Sequence, residues 1–282
     1  MAILGAAQRG DFDERGYLIA RGLVPRAMCD ALVDGMHAFV GGAGRERWYA
    51  APYTGWGGME MYHHPAMWAI RQYPPVHQVF SELHGTARLW VSMDRVSYKL
   101  PHHPDHPDYQ NEGFMHWDVD IREVVRGEGG PAGVQGVLAL TDTGLDQGTF
   151  QCIPGIHRRL EAFIKTQGAD FDGRAADFGG ETFERIALEA GDLLIWTTHL
   201  AHGNSANTSD AARLAMYLSM NRVPEDSAER RGGRIECFET RRPPNSRAFG
   251  GDERGWEAKQ NLPVELTELG KRLLGMDDWP AE

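Results

Sequence analysis

The residues His116-Trp117-Asp118, followed far downstream by His202 and Arg213, form the most informative pattern in the sequence. On an extended strand, residues i and i+2 point to the same side, so His116 and Asp118 can reach one ion while Trp117 turns away. Two imidazoles and one carboxylate on one face of a metal leave the opposite positions open, which is the ligand set of non-haem Fe(II) oxygenases. We therefore predict that His116, Asp118 and His202 are the metal ligands.

The composition favours one globular domain and argues against several classes of function. A chain of 282 residues with 41% hydrophobic residues can bury a sizeable core, and all-β proteins reach this length as one domain. A net charge of −11 argues against a nucleic-acid partner. The three cysteines, Cys29, Cys152 and Cys237, form no CxxC or metal-spaced pair, as is usual in a reducing cytoplasm. Neither a signal peptide nor a long apolar run is visible, so we expect a cytoplasmic protein without a membrane partner.

Hydrophobic periodicity predicts helices around a β-rich centre. Helical spacing of apolar residues predicts helices over Ala27–Phe39, Met67–Leu83 and Pro263–Leu274. Short apolar or alternating runs bounded by turn residues predict strands over 16–20, 89–97, 136–141, 149–153, 192–196 and 214–220. Together they favour an antiparallel sandwich or barrel.

Residues 41–62 are long, rich in glycine and aromatic residues, and without clear periodicity. Such segments are often lids or binding loops, and we predict that Arg47–Tyr62 is a mobile cover over the metal site. The alternative is that its aromatic and methionine side chains complete the core. No linker divides the chain, so we expect a single domain over 1–282, with this insertion and a C-terminal helical extension around 221–282.

Several further motifs surround the metal pattern. They are Tyr98-Lys99-Leu100-Pro101, Ala139-Leu140-Thr141-Asp142, Gln147-Gly148-Thr149-Phe150, Ile153-Pro154-Gly155-Ile156-His157, Ala190–Trp196 and His202-Gly203-Asn204. In this order, and with Arg213, they resemble the phytanoyl-CoA dioxygenase family of Fe(II)/2-oxoglutarate oxygenases from about Phe12 to Met220. The resemblance implies a mainly β fold with flanking helices, namely the double-stranded β-helix, or cupin-like jelly roll.

The resemblance also implies a co-substrate site. A planar guanidinium can grip a carboxylate with two hydrogen bonds, and the resemblance makes Arg213 the residue that binds the far carboxylate of 2-oxoglutarate. Asn204 lies two residues after His202 and is expected to add a hydrogen bond. Lys99 is a further candidate contact to the co-substrate or the substrate, with a strand-end surface charge as the alternative. His199 is the alternative distal metal ligand, but His202 has the family spacing to Arg213.

The implied cofactors are Fe(II), 2-oxoglutarate and O2, and the implied reaction oxidises a C–H bond of a small molecule with release of succinate and CO2. In halogenating relatives a small residue replaces the carboxylate ligand, so Asp118 argues for hydroxylation, desaturation or ring closure instead. Two other functions stay open, a non-catalytic jelly-roll metal sensor and a cupin-type metal-dependent hydrolase or isomerase. The sequence does not identify the substrate, although the aromatic content of residues 48–62 favours an apolar or ring-bearing molecule.

Overall fold

The computed structural model describes residues 2–49, 57–106, 109, 113–129, 132–168, 170–224, 228–246 and 248–280. The strands in this part of the chain are β1 (Tyr17–Ala20), β2 (Gly58–Met59), β3 (Leu89–Val91), β4 (Val96–Lys99), β5 (Gly113–His116), β6 (Val134–Ala139), β7 (Phe150–Cys152), β8 (Glu184–Arg185), β9 (Leu193–Thr197), β10 (His202–Ser205), β11 (Arg213–Tyr217) and β12 (Met220–Arg222). The helices are α1 (Ala6–Arg15), α2 (Arg26–Val40), α3 (Pro65–Arg71), α4 (Pro74–His84), α5 (Ile121–Arg126), α6 (Leu160–Ile164), α7 (Ala228–Thr240), α8 (Trp256–Gln260) and α9 (Glu268–Leu274). No helix in the described ranges is long and apolar enough to cross a membrane.

Two antiparallel sheets form the double-stranded β-helix that the sequence predicts. The larger has six strands in the order β1-β9-β6-β11-β4-β2, and the smaller has four in the order β5-β10-β7-β8. Strands β3 and β12 form a separate pair. Since β6, β9 and β11 of the larger sheet are consecutive neighbours but distant in sequence, their order can form only when the whole domain assembles.

Strand β9 shows how the larger sheet is buried on both faces. Leu193 and Ile195 pack with the helices α2, α3 and α4 in one hydrophobic cluster, and Leu194 and Trp196 pack in a second cluster between the sheets. Alternate residues of a strand point to opposite faces, so the continuous apolar run Leu193–Trp196 supplies both clusters. The second cluster includes Phe150 of the smaller sheet and lies against the predicted metal site.

The predicted helix Met67–Leu83 is wrong as a single element, because the chain forms α3 and α4 with a break at Tyr73. Tyr73 is extended (φ −67°, ψ 118°), as is usual for a residue before proline, and Pro74 begins the next helix. The predicted helix Pro263–Leu274 also begins later, at Glu268. There the hydroxyl of Thr267 accepts a hydrogen bond from the Gly270 N–H at 3.1 Å and caps the first turn.

The C-terminal part of the chain is fastened to the segment around β2. The carboxylate of Glu257 accepts the backbone N–H groups of Tyr62 and His63, both at 2.7 Å. Met59 and Met61 are fully buried, so the end of the segment predicted as a mobile cover belongs to the core. Residues 50–56 of that segment lie outside the described residues, and a cover formed by them stays a prediction.

Candidate metal centre and adjoining cavity

The two predicted histidine ligands lie side by side on neighbouring strands. Strand β10 pairs with β5 so that His202 is directly opposite His116, and their ring centroids are 4.7 Å apart. Asp118 Oδ1 lies 3.2 Å from His116 Nε2, and Asp118 Oδ2 lies 3.5 Å from His202 Nε2. One ligand atom from each residue falls within 4.8 Å of the others, and the described residues contain no other such group. Two imidazole nitrogens and a carboxylate oxygen are a donor set that suits Fe(II).

Asp118 reaches this group from a bend and not from a strand as predicted. Strand β5 ends at His116, and the backbone N–H of Trp117 donates to Arg174 O at 3.0 Å. Trp117 turns away from the metal group, as predicted, and its indole N–H donates to the carbonyl oxygen of His199 at 3.0 Å. The ring of His199 is not part of the metal group, so the structure favours His202 over His199.

Hydrogen bonds with neighbouring residues orient two of the predicted metal ligands, His202 and Asp118. His202 Nδ1 lies 2.9 Å from the carbonyl oxygen of Leu200, which can only accept a hydrogen bond. The proton therefore belongs on Nδ1, and Nε2 keeps its lone pair for a metal. The Gln135 amide donates to Asp118 Oδ2 at 2.6 Å. Burial raises the pKa of Asp118, but hydrogen bonds with His116, His202 and Gln135 outweigh it and hold that pKa well below its usual range.

A buried positive charge lies at the other end of the same cavity. Arg213, the first residue of β11, is 2% exposed and donates from one guanidinium nitrogen to Asn204 Oδ1 at 2.9 Å. Tyr217 also hydrogen-bonds to Arg213, and burial lowers the pKa of the guanidinium. Among the described residues no carboxylate forms an ion pair with Arg213. A buried guanidinium that lacks an acidic partner is costly, so this end of the cavity is suited to an anionic ligand.

Lys99 lies beside Arg213, since the two residues are opposite each other in the pairing of β4 with β11. It is fully buried, so the alternative of a strand-end surface charge is wrong. Its ammonium donates to Ser205 O at 2.8 Å, and burial together with the charge of Arg213 lowers its pKa to about 7. The side chain is not part of the cavity wall, so the structure leaves the predicted contact with the co-substrate as a prediction.

The cavity that joins these groups has a volume of about 580 Å³. The antiparallel pairing of β4 with β11 places Arg213 at one end of the pair and Arg95, whose carbonyl accepts the Tyr217 N–H, at the other. The cavity wall thus includes Arg213 and Asn204, the metal group, and finally Asp94, Arg95 and Phe249. Arg213, Asn204 and the metal group are predicted from the sequence, whereas Asp94, Arg95 and Phe249 are not.

Comparison with known proteins gives consistent results. Residues 12–215 match the family model described as phytanoyl-CoA dioxygenase. The chain is 24% identical over 178 residues to Ava biosynthesis cluster protein O of Aspergillus versicolor. The aligned region covers 56% of this chain and 54% of the relative. The chain therefore spans about half the length of this curated relative.

Two solved structures are similar in fold. A hypothetical protein, JW0805 from Escherichia coli, superposes with a TM-score of 0.75 at 17% identity, covering 97% of this chain and 82% of that one. The epimerase SnoN, in a complex with Fe³⁺ and α-ketoglutarate, gives a TM-score of 0.53 at 14% identity, covering 77% and 82%. At these identities the likeness shows a shared fold.

Proposed function

Because this chain belongs to the phytanoyl-CoA dioxygenase family of Fe(II)- and 2-oxoglutarate-dependent oxidoreductases, we propose that it oxidises a C–H bond of a small molecule. O2 is the oxidant, and succinate and CO2 are released. The observation that carries the proposal is that His116, Asp118 and His202 share one cavity with Arg213. The guanidinium of Arg213 is buried and forms no ion pair with a carboxylate of the described residues. Asp118 is a full carboxylate ligand, which favours hydroxylation over halogenation within this class.

We assign the metal to His116 Nε2, His202 Nε2 and the carboxylate of Asp118. Bound there, Fe(II) supplies the one-electron and O2 chemistry that side chains lack. Three protein ligands on one side leave the cavity side for co-substrate and O2. A metal sensor that does not turn over would have no need of a co-substrate pocket lined by Arg213.

The protein residues around the metal would position the co-substrate. We propose that the Arg213 guanidinium binds the far carboxylate of 2-oxoglutarate and that Asn204 holds the guanidinium in place through their 2.9 Å hydrogen bond. Lys99 adds positive charge beside Arg213 and is proposed as a further contact. The cavity wall also includes the apolar side chains of Phe114, Phe150 and Val137, which lower the local dielectric and so strengthen these electrostatic contacts. A cytoplasmic location and a single-domain organisation stay predictions from the sequence.

An anaerobic titration tests the assignment before any substrate is known. Fe(II) is added first and 2-oxoglutarate second, and we expect the weak visible charge-transfer band of the chelate to appear only when both are present. On admission of O2, succinate should then form, and a metabolite screen should identify compounds that accelerate its release. No band with both components and no 2-oxoglutarate-dependent succinate would refute the proposal. Turnover of a compound without O2 would instead support the hydrolase or isomerase alternative.

A further inference from the structure

The cavity has a second polar end that the iron and co-substrate assignments do not use. Asp94 lies in the cavity wall two residues before β4, with 31% of its side chain exposed. Its Oδ1 accepts the backbone N–H of Arg95 at 2.7 Å, and the described residues place no hydrogen-bond donor on Oδ2. One carboxylate oxygen is therefore open to a ligand in the cavity.

The side chains of the neighbouring cations do not form hydrogen bonds with this carboxylate. Arg95 forms a buried ion pair with Glu60, and its Nε is 3.8 Å from Asp94 Oδ1. The Arg95 guanidinium thus lies close to two carboxylates, those of Glu60 and Asp94. Arg71 donates to the backbone carbonyl oxygens of Tyr62 and Asp94 and not to the Asp94 carboxylate. Among the described residues, no cationic side chain therefore forms a hydrogen bond with the Asp94 carboxylate, although Arg95 and Arg71 both lie near it.

An aromatic wall stands beside Asp94. The Arg95 guanidinium carbon lies 4.5 Å from the centroid of the Phe249 ring, and Arg95 also donates to the carbonyl oxygen of Ala248. Tyr62 packs edge-on against Phe249, with ring centroids 5.7 Å apart. The backbone N–H of Gly251 donates to Glu60 Oε2 at 2.8 Å, so the Arg95–Glu60 pair fastens the C-terminal segment over the cavity. This segment lies beyond residues 12–215, which match the family model.

We propose that the substrate is a small molecule with a protonated amine, which binds Asp94, and a flat or apolar portion, which packs against Phe249. The inference rests on the proposed function, because it assigns the rest of the cavity to iron and 2-oxoglutarate. A protonated amine can donate to the open Oδ2 of Asp94 and form the direct, hydrogen-bonded ion pair that Arg95, which is paired with Glu60, does not form.

Three probes that share a skeleton and differ in charge test the proposal: 2-phenylethylamine, 2-phenylethanol and phenylacetate. Binding is measured by calorimetry on protein loaded anaerobically with Fe(II) and 2-oxoglutarate. We expect the amine to bind at least ~10-fold tighter than phenylacetate, a ratio that corresponds to about 1.4 kcal/mol. Asp94→Asn should abolish this ratio, and Asp94→Glu, which keeps the charge, should retain it. Phe249→Ala should weaken all three probes without changing their ranking.

The control is Asp30→Asn, which removes the same charge from the exposed face of α2 and should leave the ranking unchanged. Equal or reversed ranking in the wild type, a preference that survives Asp94→Asn, or no measurable binding of the amine would each overturn the proposal. The same titrations on protein without Fe(II) and 2-oxoglutarate separate the two hypotheses. A retained amine preference there, with no charge-transfer band in the loaded protein, would refute the proposed function alone.

Discussion

The side-chain amide of Gln135 lies 2.6 Å from Asp118 Oδ2 and donates a hydrogen bond to it. The orientation of the amide is fixed by Trp196, whose indole N–H donates to Gln135 Oε1 at 3.1 Å. Gln135 of β6 thus positions Asp118, the one residue of the metal group that does not lie on a strand. Since a carboxylate in a bend has more freedom than one on a strand, this contact compensates for the early end of β5 at His116.

The first prediction concerns this support. Gln135→Leu removes the donor and should lower Fe(II) affinity about 10- to 100-fold, as is typical when a partner behind a metal ligand is lost. Gln135→Glu places a like charge beside Asp118 and should raise the pKa of both carboxylates, so its defect should lessen as the pH rises. Anaerobic competition with a chromophoric chelator measures the affinity. Unchanged affinity in Gln135→Leu would mean that Asp118 is held without β6.

The second prediction is that His116→Ala, Asp118→Ala and His202→Ala each abolish 2-oxoglutarate-dependent turnover. Each removes one of three ligands, so the loss of Fe(II) affinity should exceed the ~10- to 100-fold expected for a residue behind the ligands. His199→Ala is the matched control, because it leaves the backbone carbonyl that Trp117 uses. Our assignment of the distal ligand is wrong if His199→Ala is inactive and His202→Ala is fully active.

The third prediction is that Arg213→Lys raises the KM for 2-oxoglutarate while Fe(II) still binds. Lysine keeps the charge but loses the planar pair of donors, and it also loses the hydrogen bond with Asn204. We expect an increase of at least ~10-fold, the equivalent of about 1.4 kcal/mol. Arg122→Lys is the control, since Arg122 already pairs with Asp120 outside the cavity. An unchanged KM for 2-oxoglutarate would remove Arg213 from the site.

The fourth prediction uses the buried ammonium of Lys99, whose pKa is lowered to about 7 from 10.5. Between these values the unfolded chain binds more protons than the folded one, so stability should rise with pH. Lys99→Met should remove this slope, which we expect to be about 2 kcal/mol between pH 7 and pH 9. Urea unfolding of the metal-free protein at both pH values measures it. If the variant also leaves the KM for 2-oxoglutarate unchanged, the predicted contact of Lys99 with the co-substrate is wrong.

The apolar runs predict the strands β1, β6, β7 and β9. The single strands predicted over 89–97 and 214–220 are wrong, because β3 and β12 form a separate pair while β4 and β11 belong to the larger sheet. The pairing of β5 with β10 follows from the resemblance, and the structure places His116 opposite His202 accordingly. Helix α1 was missed because none of its residues is buried, so it has no apolar periodicity to detect. The break at Tyr73 is encoded locally, because a residue that precedes proline is disfavoured in the helical conformation.

The substrate end of the cavity could not be predicted from local patterns. Phe249 reaches it through contacts with Arg95 and Tyr62, which are far away in sequence. Gln135 is a polar residue in an otherwise apolar strand, which indicates that its side chain has a specific role. Its partner Asp118 can be identified only from the three-dimensional structure. Contacts of this kind depend on the assembled sheets, and neither spacing nor propensity encodes them.

The hydrogen bond between Arg213 and Asn204 joins strands of different sheets, β11 of the larger and β10 of the smaller. A dianion gripped by Arg213 at one end and by a metal on the smaller sheet at the other would tie the two layers together. By mass action, a ligand at 100 times its dissociation constant stabilises the folded state by about 2.7 kcal/mol. The supply of 2-oxoglutarate would then determine how long each molecule resists unfolding and degradation in the cell, in addition to how fast it works.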